Sequence, residues 1–348
     1  MITKNHRTAR AIGAGAALLV GLGTLAATAA PANAAAGFAF DTRVAGNDRY
    51  ATAVAASKLL SPTDDSTPDV VIVNGTATVD GLTASYLAGL YSAPILYTET
   101  NSVPTVTADE ITRLGVENVW IVGGVNQVSA GLEASWKTAG KTVVRYAGAN
   151  RYATAAAVAQ ADETFPPEKV FLASGTSTAD ALAAGPIAWQ RNYPILLTQA
   201  DSVPGETTAA LDALGTTTRI VLGGTSVVSD GTYTALKGTS RLSGANRAET
   251  ATKIADYAVA SEFFDSQSAG LVGGAAGASA DALAAAPVSG SQGVPILFTD
   301  ANGSLGATTT AYLTSKKTNL APPGNGWIFG GLTAVPQAAA DAATAAVQ

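Results

Sequence analysis

The sequence predicts an α/β fold of three similar lobes, each a small, mostly parallel sheet with helices on both faces. Three observations lead there. A patterned opening recurs three times along the chain, short apolar runs alternate with Ala-rich stretches, and each unit closes on Gly-Gly. A strand buried on both faces is a continuous apolar run, and strands that alternate with helices pair in parallel through crossovers.

The N-terminus comes first. Lys4, His6, Arg7 and Arg10 precede an uncharged stretch from Ala11 to Ala30, and Ala32-Asn33-Ala34 places small residues at −3 and −1 of a cleavage site. Residues 1–34 therefore read as a secretory signal peptide, with an uncleaved anchor as the alternative. No later segment has transmembrane character, so no stable membrane insertion is expected after cleavage. The chain has no Cys, which excludes a lipoprotein anchor and a disulfide framework. Cleavage removes Lys4, Arg7 and Arg10 from the 20 Lys and Arg, leaving 17 against 26 acids and a net charge of −9. That balance argues against nucleic acid as a partner. Cleavage also removes His6, the only histidine. Ser-His-Asp triads, Cys-His pairs and the usual zinc sites then lack their ligands, and no metal or cofactor is expected. Carboxylate, Lys or Tyr chemistry remains.

Three units follow, at 38–141, 142–238 and 239–348. They open at Arg43, Arg145 and Arg241 with the shared pattern R-x-x-G-x-[DN]-R-x-x-T-A, whose second Arg is Arg49, Arg151 and Arg247. Asp48, Asn150 and Asn246 are N-cap candidates for the helices that begin there. The runs Val70–Val73 and Val170–Ala173 read as buried strands. Polar loops follow at Asn74-Gly75-Thr76 and Ser174-Gly175-Thr176, with Gly273-Gly274-Ala275 in the third unit. Asp80, Asp180 and Asp281 then start Ala-rich helices, where a carboxylate can cap free N–H groups. Fourteen residues after each Asp comes Pro94, Pro194 or Pro295, opening a short Pro-Ile-Leu strand. Ser-Val-Pro at 102–104 and 202–204 introduces a further helix. Strands ending at Val122, Leu222 and Phe329 run into Gly123-Gly124, Gly223-Gly224 and Gly330-Gly331. The Pro-to-Gly spacing is 29, 29 and 35, so the third unit carries an inserted loop near Ala321–Gly324.

The first two units are followed by a strand, at Thr142–Arg145 and around Arg241. After Gly331 only a helical stretch remains, Ala338 to Val347. The matching strand, Phe38–Val44, stands at the front of the chain. It is expected to complete the third lobe and close the three units into a ring.

The ordered recurrence of R-x-x-G-x-[DN]-R-Y-x-T-A, Asp-Ala-Leu-Ala-Ala, Pro-Ile-Leu and Gly-Gly resembles the cell wall-binding repeat 2 family of Gram-positive surface proteins, over residues 38 to 348. The resemblance implies α/β modules in a pseudo-threefold arrangement that hold non-covalently to an anionic wall polymer or peptidoglycan-associated glycan. It implies a secreted, cell wall-associated protein, and the Ala bias suggests an actinobacterium. The sequence departs from the family pattern at Ala248, which stands where the other units have Tyr50 and Tyr152, and at Tyr97, Leu197 and Phe298 after Pro-Ile-Leu.

Candidate polymer-binding residues are the six Arg, because guanidinium grips phosphate or carboxylate bidentately, together with Asn74, Thr76, Ser174 and Thr176. The competing reading pairs each Arg with Asp80, Asp180 or Asp281 to lock a lobe. The Asp, Pro and Gly-Gly positions read as structural. A carboxylate-dependent wall hydrolase is the enzyme alternative, although no second acid recurs beside the three Asp. A small-ligand receptor with one deep cleft is a further alternative.

Overall fold

The computed structural model describes residues 37–76, 79–162, 166–275 and 278–348. The export signal expected at 1–34 lies outside the described residues. Among the described residues no helix is long and apolar enough to cross a membrane.

Among the described residues, twelve strands form three four-stranded sheets, and every strand pair is parallel. The first lobe orders β3 (Ile95–Thr98), β2 (Asp69–Asn74), β4 (Asn118–Val122) and β5 (Thr142–Tyr146). The second orders β7 (Ile195–Thr198), β6 (Lys169–Ser174), β8 (Thr218–Leu222) and β9 (Ser240–Leu242). The third orders β11 (Ile296–Phe298), β10 (Ala269–Val272), β12 (Gly326–Phe329) and β1 (Phe40–Val44). Strand β1 takes the place that β5 and β9 hold in their sheets. It pairs with β12 from Phe40 opposite Gly326 to Val44 opposite Phe329. The chain thus closes on itself as the strand inventory predicts. Central strands such as β2 are buried along their whole length, as strands covered on both faces must be.

Each repeat motif has a local physical role. Helices α1 (Arg49–Leu60), α5 (Arg151–Ala159) and α9 (Arg247–Ala260) start on Asp48, Asn150 and Asn246. The cap side chains accept from Ala51, from Tyr152 and Ala153, and from Glu249 N–H groups. The Thr hydroxyls of the motif, Thr52, Thr154 and Thr250, accept from the N–H of Gly46, Gly148 and Gly244, each at 3.1 Å. The carbonyls of Pro94, Pro194 and Pro295 accept from Val71, Phe171 and Gly270, so each Pro sets the register of its strand.

Helices α2 (Ala84–Tyr91), α6 (Thr178–Arg191) and α10 (Ser279–Gln292) pack against one another in the middle. Positions equivalent by repeat spacing meet there in layers. A Cβ on Gly185 would stand 3.0 Å from both Ser85 Oγ and Ala286 Cβ. One layer further along, Gly89 and Gly290 flank the single Trp189, and a Cβ on Gly89 would come within 2.2 Å of the Trp189 carbonyl oxygen. The abundant Gly and Ala serve this close approach.

The structure corrects the expectation that the three Asp cap helices. Asp80 opens a 3-10 turn, Asp80–Thr83, that precedes α2. Asp180 and Asp281 sit inside the first turn of α6 and α10, where a carboxylate complements the helix dipole, while the cap positions themselves are Ser177 and Ala278, whose side chains make no cap bond. Their carboxylates face the neighbouring lobe.

Candidate functional site

The two Arg of each opening serve different lobes. The first of each pair lies on an edge strand and reaches the Gly-Gly turn of the sheet that strand completes. Arg43 donates to the Gly330 carbonyl at 2.9 Å, Arg145 to Gly123 at 2.7 Å and Arg241 to Gly223 at 2.9 Å. Arg145 also pairs with Glu133 at 2.8 Å and Arg241 with Asp230 at 3.3 Å. Arg43 adds bonds to the Val335 carbonyl and Gln337. The second of each pair braces the loop after the first strand of its own unit. Arg49 donates to the Gly75 carbonyl at 2.5 Å, Arg247 to that of Gly274 at 2.7 Å, and Arg151 to that of Gly175.

The loops are tied internally. Asn74 accepts from the Thr76 N–H and hydroxyl, and its amide donates to the Gln127 carbonyl at 2.7 Å. Ser174 and Thr176 share a hydrogen bond of 3.0 Å. In the third unit, Gly274 N–H donates instead to Thr299 Oγ1.

At each lobe junction an Asp of one unit faces the opening of the next. Burial raises the Asp180 carboxyl to about 6, offset in part by the Thr250 hydroxyl and the Arg247 charge. Burial likewise raises Asp281, with Arg49 and then Thr52 opposing it, and raises Asp80 against Arg151. The order is cyclic: lobe 1 to 2, 2 to 3, and 3 back to 1. The same carboxylates fit against their own Gly-Gly turns. Gly123, Gly223 and Gly330 have φ of +117, +95 and +113, and a Cβ on Gly223 or Gly330 would meet the Asp oxygen at 2.5 or 2.7 Å. Only glycine suits both the backbone conformation and the contact.

The second Arg of each pair, the loops and the preceding lobe's Asp thus come together at the junctions, whereas Arg43, Arg145 and Arg241 stay with the Gly-Gly turns. Between lobes 2 and 3 the junction opens into a crevice of about 250 Å³. Thr176, Ser177 and Thr178 line one side, Arg247, Gly274 and Ser279 the other, and Phe298 joins them. At the junction of lobes 3 and 1, Tyr97 is fully buried and donates to the Ala280 carbonyl at 2.6 Å. Sequence reading passed over Ser177, Thr178, Ser279 and this role of Tyr97. The varied residue after Pro-Ile-Leu was the available signal. No cluster of acidic or histidine side chains suited to a metal occurs among the described residues.

Comparison with known proteins agrees with this architecture. The family model described as "Cell wall binding domain 2" matches residues 43–133, 145–233 and 241–340, well over half of the chain. The N-acetylmuramoyl-L-alanine amidase LytC of Bacillus subtilis (strain 168) is 37% identical over 212 residues, which are 61% of this chain and 42% of that protein. The solved structures of Cwp8 and Cwp6 from Clostridium difficile superpose with TM-scores of 0.76 and 0.77, each at 26% identity. They cover 88% and 89% of this chain, which spans 51% and 48% of theirs.

Proposed function

Because the chain belongs to the cell wall binding domain 2 family, we propose that it is an exported protein held non-covalently on an anionic polymer of a Gram-positive wall. The observation that carries the reading is the hydroxyl-lined crevice with Arg247 at its edge, where two lobes meet. Arg49, Arg151 and Arg247 each commit Nη1 to a loop carbonyl. Each also faces the buried Asp of the preceding lobe, and in this reading the edge of the guanidinium turned away from that Asp meets phosphate or carboxylate, so that three such sites in a ring bind a repeating polymer multivalently. Asn74, Thr76, Ser174 and Thr176 shape the polar loops beside them. Arg43, Arg145 and Arg241 act by fixing the Gly-Gly turns. Attraction in this reading comes from placed guanidinium groups, since residues 35–348 carry a net charge of −9.

Binding is favoured over hydrolysis because each buried Asp faces an Arg of the next lobe, whereas glycoside hydrolysis works with two carboxyl groups about 5–10 Å apart. The test is sedimentation of the purified chain with Gram-positive walls before and after acid extraction of their anionic polymers. Retention should fall on extraction, and it should fall stepwise as Arg49, Arg151 and Arg247 are replaced by Ala one lobe at a time. Retention that survives extraction removes the anionic polymer as ligand.

A further inference from the structure

We propose that the three junctions grip the polymer unequally, and that the crevice between lobes 2 and 3 seats one anionic sugar unit because its two filling positions lack tyrosine. The inference rests on the wall-polymer reading above.

The first position follows the second Arg of each opening. Tyr50 lies over Gly75, where a Cβ would come within 2.9 Å of its ring, and Tyr152 lies over Gly175 in the same way at 2.7 Å. In the third unit this residue is Ala248, so no ring covers Gly274. The second position follows Pro-Ile-Leu. At the junction of lobes 3 and 1 it is Tyr97, whose hydroxyl crosses to the Ala280 carbonyl. At the junction of lobes 2 and 3 the same position is Phe298, which lines the crevice opposite Ala179, the counterpart of Ala280. The junction of lobes 1 and 2 combines Tyr152 with Leu197. Each of the other two junctions therefore has at least one tyrosine at these positions, and the junction of lobes 2 and 3 has none.

What is left open has a definite chemistry. Thr176, Ser177 and Thr178 offer hydroxyls from the start of α6, and Arg247 offers a fixed positive charge across from them. Phe298 gives an apolar wall for the carbon face of a ring. A volume of about 250 Å³ is below the ~300 Å³ at which sites for drug-sized ligands begin, which fits one unit of a polymer entering from the side. Sugar hydroxyls, a ring face and one anionic group, phosphate or carboxylate, match this lining.

The experiment measures sedimentation of purified full-length chain with Gram-positive walls, using a poly(hexose phosphate) and polygalacturonate as separate soluble competitors. Phe298→Tyr adds a hydroxyl that the fold already accommodates at Tyr97. It should raise the amount of wall needed for half-retention by about tenfold, the loss of one of several linked contacts, with a melting temperature no lower than the parent's. Phe298→Leu copies Leu197, keeps the crevice open and should be retained like the parent. Release of the parent by the phosphate polymer alone, or by the uronate alone, identifies the anionic group. Release by neither overturns the assignment. So does a Phe298→Tyr protein retained as well as the parent, or a Phe298→Leu protein that loses as much as Phe298→Tyr. A parent chain that fails to sediment with walls refutes the wall-binding reading itself, whereas a bound parent with an unaffected Phe298→Tyr refutes only the crevice.

Discussion

Replacing Asp180 with Asn should make the protein more stable at neutral pH, although Asp180 faces an Arg. Burial raises this carboxyl from 3.8 to about 6, more than Thr250 and Arg247 pull it down. A rise of that size corresponds to about 3 kcal/mol between the charged and neutral forms. The sign follows from linkage. A carboxyl whose folded pKa is raised costs stability above the folded value, near pH 6, and the cost disappears as pH falls through the unfolded value, near 4. The parent should therefore gain stability from pH 7.5 down to pH 4, with Asp80 and Asp281 acting in the same direction. No histidine lies beyond His6, so no group with an ordinary pKa near 6 obscures the slope among the described residues. Asn keeps the shape and carries no charge. At pH 7.5 the variant should exceed the parent by up to about 3 kcal/mol, an increase of about 1 M in urea midpoint at a slope of about 3 kcal/mol/M. The two should converge near pH 4. Urea titrations of both proteins from pH 4 to 7.5 measure this. A variant less stable than the parent at pH 7.5 would show that the attraction of Arg247 outweighs burial, and the reasoning would fail.

Three further outcomes can be checked, the first two by urea or thermal melts and the third by dye binding and hydrogen exchange. Gly89→Ala forces a Cβ against the Trp189 carbonyl at 2.2 Å and should cost about 1–3 kcal/mol or more through overpacking at the centre of the ring. Tyr97→Phe deletes the buried bond to Ala280 and should cost about 1 kcal/mol. Removing residues 37–44 takes away Phe38, Phe40 and Val44, all buried, at about 1.5–3 kcal/mol each. That should unfold lobe 3 selectively, seen as new binding of a hydrophobic dye and loss of amide protection in β12 before β4 and β8.

Much of the fold was legible because it repeats. The β/α alternation, the caps at Asp48, Asn150 and Asn246, and the role of β1 in the third sheet follow from spacing and local chemistry, whereas the order of the strands within each sheet does not. The partners of the charged residues were less legible. Sequence reading offered Asp80, Asp180 and Asp281 as ion-pair partners of the Arg within a lobe. Instead, the closest bonds of the Arg go to backbone carbonyls, which have no sequence signature. The Asp face the following lobe, a relation that repeats along a line cannot encode, because every unit looks alike until the ring is closed. The central layer of Gly89, Trp189 and Gly290 was hidden for the opposite reason. There the three units differ, and a helix with one Trp or one Gly gives no hint that its counterparts meet it across an axis.

The pairing of β1 with β12 also decides how the protein meets a mechanical load. The two strands run parallel, with four matched positions from Phe40 to Val44. A pull on the N-terminal end of β1 against a pull beyond the C-terminal end of β12 slides one strand along the other. All the rungs between them are then strained together rather than opened one after another. The helix Gln337–Val347 adds a further grip, since Thr344 accepts from the Phe40 N–H and Arg43 reaches Gln337. A chain tethered at one end and dragged from the other would meet this shear-loaded seam, so drag would have to break several bonds at once before the ring could open.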